Sequence, residues 1–149
     1  MTTLYDAAGG SAVMLALATA FHARCLADPE LNHPFSHSDL NPEHVPRLAA
    51  YWGEVLGGPD DFSRLGADQS SMQTMHAGHG DMSDLGRRFV TCFVAALDDA
   101  GVPDDPRLRN ALEAYMRWAV DDVLVWSDAM PPEGLPMPHW SWDGLVVSG

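Results

Sequence analysis

The chain has 149 residues, enough for one domain with a core that can also enclose a small cofactor. Apolar residues make up 46% and charged residues 19%, a balance that argues against disorder, and no apolar run approaches the roughly 20 residues of a membrane span. Twenty-one acids stand against eight bases, all of them arginine, and the formal charge of −13 disfavours nucleic-acid phosphates and anionic membranes alike.

The opening MTTLYDAAGG has no Lys or Arg before its first apolar stretch, so no signal peptide is expected and the expected location is cytoplasmic. Gly9-Gly10 closes a short first turn. Ser11 is the expected N-cap of a helix over 11–26, with Val13, Met14, Leu17, Phe21 and Cys25 at helical spacing. Cys25 and Cys92 both sit in apolar periodic segments and read as small buried hydrophobes in a reducing compartment rather than as a disulfide. Asp28-Pro29-Glu30 restarts a short helix to Phe35, and 36–39 follows as a polar loop. Asn41-Pro42 opens a helix to Leu56 that stops at Gly57-Gly58-Pro59, and Pro46 fits if its hydrogen bonding begins near His44.

Residues 60–67 read as a loop and 70–77 as a short helix. A longer helix over 83–100 has Leu85, Phe89, Cys92, Phe93, Ala96 and Leu97 as its apolar stripe, and Gly101 ends it. Asp105-Pro106 begins the last helix, with Leu108, Leu112, Tyr115, Met116, Ala119, Val123 and Trp126 facing inward. From Pro131 the chain is rich in Pro and Gly and cannot be a regular helix. The expected architecture is all-α, with a helical domain over 1–130 and an irregular C-terminal tail over 131–149.

Seven histidines against no lysine give the first hint of chemistry. Neutral imidazole ligates metals and haem iron, and one axial His is enough to hold haem. His76 and His79 lie in MQTMHAGHGDM, where the spacing by itself favours a surface loop pair over a ligand pair. Zinc would need further ligands, and no cysteine pair or His-Glu-x-x-His motif supplies them. His44, Leu48, Tyr51, Trp52 and Val55 share one helical face, and a buried His or Tyr there would need hydrogen-bond partners. His22 lies about 100° around its helix from Phe21, which on periodicity alone makes it half-exposed.

Taken in order, several segments resemble the truncated haemoglobins, the short two-over-two helical globins of bacteria. LYDAAGG is similar to the N-terminal segment of that family, and AFHARCLADPELNHPF to its second helix running into the third. YWGEVLGGP resembles the end of the fifth helix, MHAGHGDM the proximal loop and RRFVTCFVAAL the helix after it. The match spans about residues 4–100, closest to group II, with distal features like those of group III.

The resemblance implies haem (iron protoporphyrin IX) as cofactor and His76 as the iron ligand. It puts Phe35 over the haem, His22 at the distal position of the second helix and His44 at that of the fifth. Leu48, Tyr51 and Trp52 line the same pocket, Phe89 faces it from the next long helix, and Arg47 stands near a haem propionate. His22 replaces the usual Tyr, Phe89 a usual Trp, and His79-Gly80 an apolar and basic pair. His22, His44 and Tyr51 are then the candidate catalytic groups.

Implied ligands are O₂, NO, CO or peroxide, with an external reductase and a homodimer as further expected partners. Function stays open among three classes. The first is a diatomic-gas globin that can oxidise NO, and the second a peroxidase-like or biosynthetic haem enzyme using the distal histidines. The third is a haem-free helical module. In the enzyme reading His139-Trp140-Ser141-Trp142 covers the pocket; in the other readings the tail packs on the surface.

Overall fold

A computed structural model describes residues 2–31, 43–78, 80 and 82–146. Phe35, the helix expected to end there, the 36–39 loop, the Asn41-Pro42 helix start and His79 lie outside the described residues.

Local chemistry sets each helix boundary. Thr3 caps α1 (Leu4–Ala8), its hydroxyl accepting from the Asp6 N–H at 3.1 Å. Gly10, at φ 77°, takes the N-cap position of α2 (Ser11–Ala27). This corrects the expectation for Ser11, which is the first helical residue: left-handed backbone at the cap favours glycine. After α2, Asp28 Oδ1 accepts from the N–H groups of Glu30 at 2.8 Å and Leu31 at 3.3 Å, an Asx-type turn where a short helix was expected to start.

Helix α3 (His44–Val55) begins at His44, which puts Pro46 in the first turn, where its missing N–H costs no helical bond. The expected loop over 60–67 instead contains a single turn, α4 (Asp61–Arg64). That turn forms because Glu54, buried on α3, accepts from the Ser63 N–H at 2.9 Å and the Ser63 hydroxyl at 2.6 Å. No local pattern shows this, since the capping carboxylate comes from the previous helix.

Asp68 caps α5 (Gln69–His76) by accepting from the Ser71 N–H at 2.7 Å. The long helices α6 (Ser83–Asp99) and α7 (Pro106–Leu124) follow, and Pro106 stands in the first turn of α7 behind the Asp105 cap. Helix α2 packs on α3 and on α6, and α6 packs on α7, so the pairs α2/α3 and α6/α7 form two layers. Between them lie the fully buried Leu17, Cys25, Val55, Ala96, Leu97 and Leu112. Gly86 brings α6 against α7: a Cβ there would stand 2.5 Å from Val120 Cγ1. Cys25 and Cys92 are buried free thiols, and burial pushes both thiols up in pKa. On α7 Leu108, Leu112, Tyr115 and Met116 are buried as expected, whereas Ala119 and Val123 are only half-buried, as is Trp126, which lies past the helix end.

The tail is more ordered than its composition suggests. Trp140–Ser141 and Gly144–Leu145 pair as a short antiparallel hairpin, β1 and β2, with Trp140 opposite Leu145. Trp140 Nε1 donates to the Ala111 carbonyl at 3.0 Å and Trp142 Nε1 to the Thr2 carbonyl at 2.8 Å. The Arg107 guanidinium lies 4.7 Å from the Trp142 ring centroid. These contacts lay the tail on the helical surface. Among the described residues, no helix is long and apolar enough to cross a membrane.

Candidate functional site

Helix α5 ends on His76, whose Nδ1 lies 2.8 Å from the Met72 carbonyl oxygen four residues earlier. A carbonyl can only accept, so Nδ1 carries the proton and the ring lone pair sits on Nε2. A bond of this kind fixes the ring plane and leaves Nε2 as the nitrogen with ligating chemistry. The residue is half-buried.

His22 and His44 meet from α2 and α3, with ring centroids 5.2 Å apart and planes at 63°. His22 is only 6% exposed, which overturns the half-exposed position that periodicity gave it. Helix α3 packs closely enough on α2 to cover that flank, and no intra-helix pattern carries this information. His44 and Leu48 are half-buried on the same face of α3, one turn apart.

Beside this pair lies an aromatic cluster. Phe21 stacks on Phe89 at 5.9 Å and meets Trp52 edge-on at 5.4 Å, while Phe93 lies 5.2 Å from Trp52. Trp52 is buried and Phe89 half-buried. Both expected pocket residues thus join one apolar wall, together with Phe21 and Phe93, which had been read only as core stripes. Arg47 is exposed on the outer face of α3, where its charge stays hydrated.

Tyr51 departs from expectation. Its hydroxyl donates to Gln69 Oε1 on α5 at 2.7 Å, with both residues buried, and its ring meets Phe62 at 5.0 Å. Burial, with only partial relief from Gln69, raises the Tyr51 pKa far above the ordinary phenol value. The hydroxyl is therefore a neutral donor whose single proton is committed to α5 rather than offered to a ligand. Tyr115, also buried on α7, has its pKa raised chiefly by burial.

Sequence reasoning missed Gln69, Ser70 and Gln73, because polar residues on a short helix ordinarily face water. Here they are the buried side chains among those described on α5. Among the described residues no group of three or more His, Cys, Asp or Glu side chains could hold a metal ion.

Residues 3–124 match the family model of the bacterial-like globins. The chain belongs to that family. Among solved structures, the haemoglobin of the thermophilic phototroph Chloroflexus aurantiacus superposes with a TM-score of 0.68 at 26% identity, over 83% of this chain and 98% of that one. The thermostable haemoglobin of Thermobifida fusca gives a TM-score of 0.67 at 29% identity, over 83% of this chain and 97% of that one. The group II truncated haemoglobin of Bacillus anthracis, at 17% identity, shares the fold with a TM-score of 0.68 over 90% and 97% of the two chains. Comparison with curated proteins returned no match.

This globin therefore has the all-α, two-over-two truncated fold, and haem is the cofactor that the family implies. Its residues fit that group. An imidazole with its lone pair fixed on Nε2 ends α5, an apolar aromatic cluster lies on α2, α3 and α6, and a second pair of imidazoles stands on α2 and α3.

Proposed function

We propose that this globin holds haem through His76 and binds a diatomic ligand, O₂ or NO, beside the His22–His44 pair. Bound haem supplies an iron centre whose open side takes the ligand. The observation that carries the reading is the meeting of His22 and His44 at 5.2 Å, next to the apolar wall of Phe21, Trp52 and Phe89. A ligand that gains negative charge on binding is stabilised there by an imidazole N–H, worth about 1 kcal/mol and more where water is excluded. In this reading Leu48 and Trp52 shape the pocket, and Arg47, exposed on the outer face of α3, would have to reach around its edge to meet a propionate. Tyr51 is assigned to the scaffold of α5 rather than to the ligand.

In the NO dioxygenase form of this proposal, NO and O₂ combine with one electron to give nitrate, NO₃⁻. An external reductase delivers the electron. Purified protein is expected to show a Soret band that His76→Ala abolishes. The oxygenated protein should consume NO in stopped flow, and His22→Phe and His44→Leu should each speed O₂ release. A His76→Ala protein with a full Soret band and a five-coordinate histidine signature would refute the ligand assignment.

One feature supports a second reading, a peroxidase-like enzyme: two adjacent imidazoles can pass a proton between them, as acid–base help to peroxide requires. Turnover with peroxide that either histidine substitution abolishes, without NO consumption, would favour it.

A further inference from the structure

We propose that the C-terminal tail is a positioning element for the proximal histidine and acts through Ser70. This inference rests on the assignment of His76 as the iron ligand.

A helix of eight residues has no independent stability in water, so tertiary contacts must fix the position of α5. In this globin several of those contacts are hydrogen bonds, beside the packing of Met72 on the core. Tyr51 of α3 holds Gln69, and Asp122 of α7 accepts from Gln73 Nε2 at 2.7 Å. Beyond His76, the Gly78 N–H donates to the Trp126 carbonyl and the Gly80 N–H to the Ser127 carbonyl, each at 3.0 Å.

A further tie comes from the tail. The Ser70 hydroxyl donates to the Pro132 carbonyl and accepts from the Leu135 N–H, both at 2.9 Å. One side chain of α5 is thus gripped from two points on the tail backbone, at a site only 8% exposed. The tail is itself anchored further on. Trp140 bonds the Ala111 carbonyl and lies against Trp118 at 5.7 Å and Tyr115 at 5.8 Å, both on α7.

Ser70 and His76 are six residues apart on one continuous helix, about 9 Å along its axis. A short hydrogen-bonded helix moves as a unit, so a tie at Ser70 sets the approach of Nε2 at the other end. Groups outside the first ligand shell that fix the orientation of a ligating histidine typically change metal affinity by about 10–100-fold.

The test compares full-length Ser70→Ala, Ser70→Thr and Ser141→Ala proteins with the unaltered chain. Ser141→Ala removes another tail hydrogen bond, to the Gly144 carbonyl, without touching α5. Two readouts apply: the iron–histidine stretching band of the ferrous protein by resonance Raman, and the rate of haem loss to an apo-globin acceptor. Ser70→Ala should shift the band and speed haem loss about tenfold. Ser70→Thr, which keeps a hydroxyl, should restore both, and Ser141→Ala should change neither.

If Ser70→Ala does not fold, Leu135→Pro removes the N–H that reaches Ser70 and leaves α5 intact, and the same shifts are expected. Band position and loss rate that match those of Ser141→Ala would overturn the proposal. The two levels of inference fail differently. An unaltered protein without a Soret band, or His76→Ala with one, removes the haem assignment itself. A normal holo-protein that is indifferent at Ser70 removes only the role of the tail.

Discussion

Replacing Tyr51 by Phe deletes one oxygen and little else. That oxygen lies 2.7 Å from Gln69 Oε1, between side chains 7% and 4% exposed, so water cannot readily replace the lost donor. An acceptor deprived of its partner in such a place costs about 1–3 kcal/mol. Taking about 2 kcal/mol, and about 2–4 °C per kcal/mol for a chain of this size, Tm should fall by about 4–8 °C. The double mutant with Gln69→Leu should lose less than the sum of the single changes, with a coupling of about 1 kcal/mol.

Ligand release should respond differently. A donor to a diatomic ligand contributing about 1.4 kcal/mol would, when removed, speed release about tenfold. Tyr51→Phe should leave O₂ release within about twofold of the unaltered rate, while His22→Phe or His44→Leu speeds it. Thermal unfolding followed by circular dichroism and stopped-flow O₂ displacement by CO measure the two effects. An unchanged Tm with tenfold faster release would refute the assignment of Tyr51 to α5.

Gly58→Ala should lower the urea midpoint by an amount equivalent to about 1–3 kcal/mol, because its Cβ would lie 2.6 Å from Tyr5 Cδ2 and 2.8 Å from the Gly53 carbonyl oxygen. Acid should destabilise the fold in a predictable window. The Arg88 guanidinium holds Asp84 below its ordinary value, the Ser71 N–H does so for Asp68, and the Arg24 side chain for Asp99. Burial pushes Asp28 up, but the Glu30 N–H and Arg88 outweigh it and its pKa is also lowered. Carboxyls lowered by folding stabilise above the unfolded value near 4, and that contribution disappears as pH falls through the folded values. Asp122, raised by burial, acts with the opposite sign, and its contribution declines as pH rises past the unfolded value. Urea midpoints measured from pH 6 down to pH 3 should therefore fall, and a flat profile would show that these partners do not hold in solution.

The sequence by itself determined what depends on near neighbours. Gly and Pro bounded the long helices and their stripes gave most of the core, while His76 became the candidate ligand only through the family resemblance over about residues 4–100. The helices and their stripes are legible because helix geometry repeats every few residues, so a short window carries the whole pattern. Tertiary structure alone decided the rest. Tyr51 reaches Gln69 across 18 residues, Gln73 reaches Asp122 across 49, and Ser70 reaches the tail across 62 and 65. The burial of His22, the turn built on Glu54 and the polar inner face of α5 also depend on side chains from other elements. A hydrogen bond or a covered flank is a property of two surfaces brought together. Until α3, α5, α7 and the tail are packed, nothing in a single segment tells a buried polar contact from a solvated one.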